Sequence, residues 1–154
     1  MDKSIVQLKK WGTAELVDAE LFDDITDEHV EMWRSTWRPE AIRLEAELRA
    51  KGAPFDKWPQ DIRWEWDTKA NWNRNLLAFQ RYALVCNGKL QGLFLANLSK
   101  VARIPAQLGK DIVYIEFVAK APWNRECFGS KPIFGGVGTV FMRTAITISI
   151  AEAF

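Results

Sequence analysis

Glu116 stands inside an apolar run, YIEFVAKAP, and is the residue best suited to take a proton in this chain. A carboxylate withdrawn from water loses the solvation of its charged form. Its pKa then rises and it becomes a better base near neutrality. Pairing with a nearby Arg or Lys, or simply facing solvent, are the plainer uses of a glutamate so placed. Downstream, Gly135-Gly136-Val137-Gly138 opens an apolar segment of helical length. Glycines let the backbone turn sharply and let a ligand approach it closely. The first turn of a helix leaves amide donors unpaired, and the helix dipole adds partial positive charge there. Together these favour an anion, phosphate above all. A P-loop would need Gly-Lys-Ser/Thr, but Thr139 and Val140 follow Gly138. A dinucleotide fingerprint would need a third glycine where Phe141 stands. The turn is therefore either a phosphate cradle of another kind or a means of packing a helix tightly on a strand.

Other reactive residues are few. His29 is the single histidine, and Cys86 and Cys127 are the only cysteines, with no CxxC spacing. That set is too small for a typical zinc site, so no metal is expected. The two cysteines could pair. His29 and Asp67 are secondary candidates for a base, His29 reading first as a surface residue of a helix. Eight tryptophans are many for 154 residues, and Trp58, Trp64, Trp66 and Trp72 crowd one stretch. They serve either as packing under a long connection or as the aromatic wall of an acceptor pocket.

Length and composition bound the rest. The chain fits a single domain over residues 1–154, and 48% apolar residues supply a core. A net charge of +1 argues against a nucleic-acid partner held by phosphate neutralisation. MDKSIVQLKKWG lacks the apolar length of a signal peptide. The apolar run at 132–151 is interrupted by Arg143, so no membrane span is expected and the reading is cytoplasmic.

These residues need elements to hold them. TAELVD (13–18) is a weak first strand. Thr26 caps a helix from Asp27, with Val30, Trp33 and Trp37 at helical spacing. Pro39 begins a second helix that Gly52 stops. Residues 53–75 form a long structured connection with one helical turn. LLAFQRYALVCN and KLQGLFLANL are a hairpin across Asn87-Gly88, because both turn residues must accept positive φ. DIVYIEFVAKAP is a further strand, apolar on both faces and expected at the sheet centre. A loop and the helix from the glycine turn follow. Val140, Phe141 and Ile148 of that helix are expected to be exposed unless a partner covers them.

YIEFVAKAPWNR followed by FGGVGTVFMRTAI resembles the core of the GNAT (GCN5-related) N-acyltransferases, over about residues 112–145. In that family a central strand ends near a proline, and a Q/R-x-x-G-x-G/A turn opens a helix. Gly136 and Gly138 match its glycines. A strand, two helices and a three-strand meander before it also match in order. The resemblance implies an α/β (α+β) fold, a mixed and mainly antiparallel sheet with helices on both faces. It implies acetyl-CoA as co-substrate and an amine as acceptor. Phe117, Val118 and Ala119 would then lie along the pantetheine arm, and Gly136, Val137, Gly138 and Thr139 around the pyrophosphate. Glu116 would be the catalytic base.

The departures are specific. Ile133 occupies the Q/R position, with Lys131 a nearby substitute, and the stretch from Pro122 to Gly136 is longer than the motif spacing. The family pattern continues past this point with a strand, a helix and a hairpin, so the C-terminal part of the fold is expected to be truncated at Phe154. A tyrosine that protonates the leaving thiolate has no counterpart after Tyr114. Activity as an acyltransferase is thus expected if the fold is complete or completed by a partner. The alternative is a noncatalytic binding or interaction protein on a truncated GNAT fold, self-associating as a homodimer.

Overall fold

The computed structural model describes all residues, Met1–Phe154. Its architecture is α+β: a curled six-stranded antiparallel sheet with helices packed on both faces. In chain order the strands are β1 (Lys3–Lys10), β2 (Leu16–Phe22), β3 (Phe79–Cys86), β4 (Lys89–Asn97), β5 (Tyr114–Lys120) and β6 (Phe134–Gly135). The helices are α1 (Asp27–Met32), α2 (Arg38–Ala50), α3 (Trp66–Asn71) and α4 (Val137–Ala151). No helix is long and apolar enough to cross a membrane.

Thr26 caps α1 as expected, and His29 completes a capping box by accepting the Thr26 amide at Nδ1 (3.1 Å). Pro39 does not break the helical run. A π-helical turn, Trp33–Trp37, joins α1 directly to α2 and absorbs the amide that proline cannot supply. Trp33 and Trp37 both face inward, and the Trp37 indole donates to the Leu90 carbonyl (3.0 Å). Gly52 ends the run at φ +65°. The β3–β4 hairpin turns at Asn87 and Gly88, both with positive φ.

The first strands differ from the expectation. β2 begins inside the segment read as a strand, and β1 precedes it within the charged amino terminus. Alternation explains why β1 is faint in sequence. Only Leu8 is fully buried, while Lys3, Ile5, Gln7 and Lys9 face solvent. The strand order is β5-β4-β3-β2-β1-β6, so β5 lies at an edge and not at the centre. Its two apolar faces have a different cause. Phe117 and Ala119 pack toward α1 and α3, and Ile115 packs toward α4.

Each face carries a core. One gathers Val30, Trp33, Trp37 and Trp66 against Ala83, Val85, Leu90 and Leu93. The other gathers Leu8, Leu21, Leu84 and Phe94 beneath Val137, Val140 and Phe141 of α4. Val140, Phe141 and Ile148 are therefore buried by the protein's own sheet, against the expectation. The exposed apolar residues of α4 are Met142, Ile146 and Ile150 instead. Gly135 pairs with Lys9 of β1, yet Val137 two residues later rests on Gly92 of β4. Two residues span at most about 7 Å, while the four strand spacings from β6 to β4 amount to roughly 19 Å in a flat sheet. The sheet must curl around the start of α4.

Candidate functional site

The β5 edge and the start of α4 face one another across a cleft of about 380 Å³. Val118, Ala119 and Lys120 form one wall, and Val137, Gly138 and Phe141 form the other. With no strand beyond it, β5 turns backbone donors and acceptors outward. At the α4 end, Gly136 takes φ +97°, and no side chain caps the helix. The first helical bond runs from Val140 N–H to the Gly136 carbonyl (2.9 Å), so the amides of Val137, Gly138 and Thr139 precede the ladder. No acidic residue occupies the first turn.

A second cleft, about 300 Å³, adjoins the first. Trp33, Trp37, Trp64 and Trp66 contribute to it, with α2 residues Ala41 and Ile42 at its rim. Asp61, Trp64, Ala119, Lys120 and Arg125 line both clefts. Arg125 donates to Asp61 Oδ2 at 2.6 Å, with both side chains largely buried. This ion pair and the Trp64 ring stand where the two spaces meet.

The segment between β5 and β6 is fixed from beneath. Gln91 Oε1 accepts from the Trp123 indole (2.9 Å) and from Asn124 Nδ2 (2.8 Å), and Asn124 Oδ1 accepts the Phe134 amide (2.9 Å). Gln91 sits at a register shift in the β3–β4 ladder, which frees it from the pairing of its neighbours. The long Pro122–Gly136 connection is thus built onto the hairpin by hydrogen bonds. From α2, Arg43 also donates to the Phe128 carbonyl (3.1 Å).

The candidates read from sequence fall in several places. Val118, Ala119, Val137 and Gly138 line the larger cleft. Phe117 lines neither cleft and packs edge-on to Trp64 with centroids 4.9 Å apart. Gly136 lines a separate shallow depression with Trp11 and Gly135, and Thr139 is exposed. Glu116 is half-buried at a bulge in the β4–β5 ladder, where its carboxylate accepts from Asn97 Nδ2 (2.9 Å). It lines neither cleft. Lys131 is exposed, and the Ile133 carbonyl accepts the Trp11 amide (2.9 Å).

His29 is not a surface residue. Burial and a tilted contact with the Phe22 ring remove it from water, and burial lowers its pKa while Glu28 and Asp24 oppose that shift. Its contacts are those of a helix cap. Asp67 accepts the amide of its neighbour Thr68 (2.8 Å) in the first turn of α3 and lies 3.8 Å from Arg34. Cys86 is buried and Cys127 exposed, and both are free thiols. The tryptophans divide between the two uses weighed for them. Trp66 is core, Trp58 packs in a satellite cluster and donates to the Ala53 carbonyl (2.9 Å), Trp72 is exposed, and Trp64 is a cleft wall.

Sequence reading missed Asp61, Lys120 and Arg125. Asp61 and Arg125 lie 64 positions apart, and no local pattern joins them. Lys69 was also missed. Its ammonium lies 3.5 Å from the Phe117 ring centroid, and burial there lowers its pKa. Compared with models of protein families, with curated proteins and with solved structures, the chain finds no match.

Proposed function

We propose that the protein is a GNAT-like N-acyltransferase that moves an acetyl group from acetyl-CoA to an amine. The observation that carries this reading is the larger cleft, where an open strand edge faces the uncapped start of a 15-residue helix. An extended amide-bearing arm would pair with the edge of β5 along Val118 and Ala119, as an added strand does. The pyrophosphate would meet the amides of Val137, Gly138 and Thr139. Gly136 would serve by taking the left-handed turn that opens the helix, and Phe117 by holding Trp64 against the arm. The element order supports the reading in part: helices α1 and α2 and, past the short α3, a three-strand meander, then a glycine turn into a helix.

In the proposed reaction the amine nitrogen attacks the thioester carbonyl carbon. A C–N bond forms, the C–S bond breaks, and its electron pair leaves on sulfur. The amine loses a proton, and Glu116 on β5, which lines neither cleft, would receive it through water.

Gly138→Glu tests the binding reading. A Cβ at Gly138 meets nothing within 4 Å, and its φ is not positive, so the change is compatible with the fold. A carboxylate in the first turn also suits the helix dipole, by about 0.3–1 kcal/mol. It would repel a pyrophosphate. Calorimetric titration with acetyl-CoA should show saturable binding to the wild type and at least about tenfold weaker binding to the folded variant. Wild-type protein that is folded and binds no acetyl-CoA would end this reading.

A second reading, a noncatalytic interaction protein that self-associates, is favoured by one observation. Met142, Ile146 and Ile150 recur every fourth residue on the exposed side of α4. Sedimentation should then show a concentration-dependent dimer that Ile146→Lys abolishes. A wild-type monomer at all concentrations would remove this version.

A further inference from the structure

The smaller cleft has a chemistry of its own, and it deepens the acyltransferase reading by naming its acceptor. We infer that it binds a small amine with an apolar, aromatic body, the nitrogen held by Asp61 at the junction of the two clefts.

Size comes first. About 300 Å³ is the low end for ligand sites, room for roughly ten waters. That suits a small molecule and not a folded protein segment. The walls come second. Trp33, Trp37, Trp64 and Trp66 contribute to its lining; three of them are nearly without solvent exposure, so Trp64 offers most of the open indole surface. Such surfaces take a flat apolar body, and their faces tolerate a neighbouring cation.

Charge is the discriminating feature. Four basic side chains line the cleft against three carboxylates. Glu45 is held by Arg63 (2.8 Å), Glu65 by Arg38 (3.3 Å) and Asp61 by Arg125 (2.6 Å). Lys120 has no carboxylate partner. An oligocation, such as a polyamine or a lysine-rich tail, would need several free carboxylates and would meet a cationic excess. A single ammonium needs one acceptor oxygen, and Asp61 offers one. Its Oδ2 is engaged by Arg125, while its Oδ1 accepts no hydrogen bond from the protein. Asp61 is also the most buried of the three carboxylates and the only one lining both clefts. An amine there would sit beside Ala119 of β5, where the acyl group would lie if the larger cleft takes the thioester.

The test uses 2-phenylethylamine, 2-phenylethanol and spermidine, titrated with and without acetyl-CoA and read by indole fluorescence. The amine should bind at least about tenfold more tightly than the alcohol, because the alcohol cannot form the charged bond to Asp61. It should also bind about tenfold more tightly than spermidine. Asp61→Asn should erase the preference of amine over alcohol. If that variant fails to fold, the amine and alcohol comparison on the wild type makes the same test. Tighter binding of spermidine, or equal binding of amine and alcohol, would overturn the inference. Acetyl-CoA binding without amine binding would overturn it and leave the acyltransferase reading standing. Amine binding with this selectivity, and no acetyl-CoA binding, would uphold the cleft's chemistry and end the acyltransferase reading.

Discussion

Gly92→Ala should damage this protein, although adding a methyl group to a strand glycine usually helps. A Cβ built at Gly92 would lie 2.6 Å from Phe141 Cε2, 2.7 Å from Val137 Cγ1 and 2.8 Å from Phe141 Cζ. Carbon atoms in good contact sit about 3.5–4.0 Å apart, so three overlaps of roughly 1 Å must be relieved at once. Phe141 cannot swing aside. It is fully buried and stacks on Phe94 at 5.3 Å with rings 12° apart. Val137 is the first residue of α4 and is 2% exposed. The helix start must therefore lift from the sheet. Overpacking of this kind costs about 1–3 kcal/mol. Loss of glycine's extra unfolded-state freedom returns about 0.4–1 kcal/mol, since φ at Gly92 is not positive. The net expectation is a loss of roughly 1–2 kcal/mol. Urea unfolding should show a midpoint lowered by about 0.5–1.5 M with an unchanged m-value. Adding Phe141→Leu should cost less in the Gly92→Ala background than in the wild type, because the smaller side chain vacates the overlap. If α4 lifts, Val137 and Gly138 move from the larger cleft, and acetyl-CoA binding should weaken in parallel. A midpoint equal to or above that of the wild type would refute the close packing of α4 on β4.

Gln91→Met should cost about 2–3 kcal/mol, because the buried donors of Trp123 and Asn124 lose their shared acceptor; hydrogen exchange in residues 122–135 should rise, and protected amides there would contradict it. Arg81→Met should lower stability in urea unfolding by about 2–4 kcal/mol, since the guanidinium donates to Asp24 and Asn73 (2.9 Å each) and to the carbonyls of Ala70 and Ile25, while the part-exposed Asp24 stays solvated without it; an unchanged midpoint would contradict this. His29 titrates below its ordinary value because it is buried, so the unfolded chain takes the proton first. Stability should be full above about pH 6.5 and fall as pH drops from there through the folded-state pKa. His29→Gln, which keeps the capping box, should flatten that fall, and an NMR-measured His29 pKa above 6.5 would contradict it. Glu116→Gln should slow acetyl transfer more than it weakens acetyl-CoA binding, and an unchanged rate would remove Glu116 as the base.

What sequence could and could not show follows from the range of each interaction. The Asn87-Gly88 turn, the Thr26 cap and the Gly52 stop are decided by neighbouring residues, and each was legible. β1 was not, because a strand with one buried residue leaves almost no apolar period. The edge position of β5 escaped for the opposite reason. Apolar residues on both faces signal cover above and below, and say nothing about neighbours in the sheet plane. The same limit governs the site. The walls at Val118 and Gly138 were readable as a strand end and a glycine turn, each a local feature. The junction at Asp61 and Arg125 was not, since only the fold brings the 53–75 connection against the segment after β5. That connection reads as structured but irregular, with one helical turn, because its residues lack any period. Its Trp64 and Asp61 instead meet β5 and Arg125 one at a time, and this is how an aperiodic segment comes to line two clefts. If the acceptor is held there, its specificity resides in the part of the chain with the least secondary structure, while the proposed coenzyme site lies in the part with the most recognisable pattern.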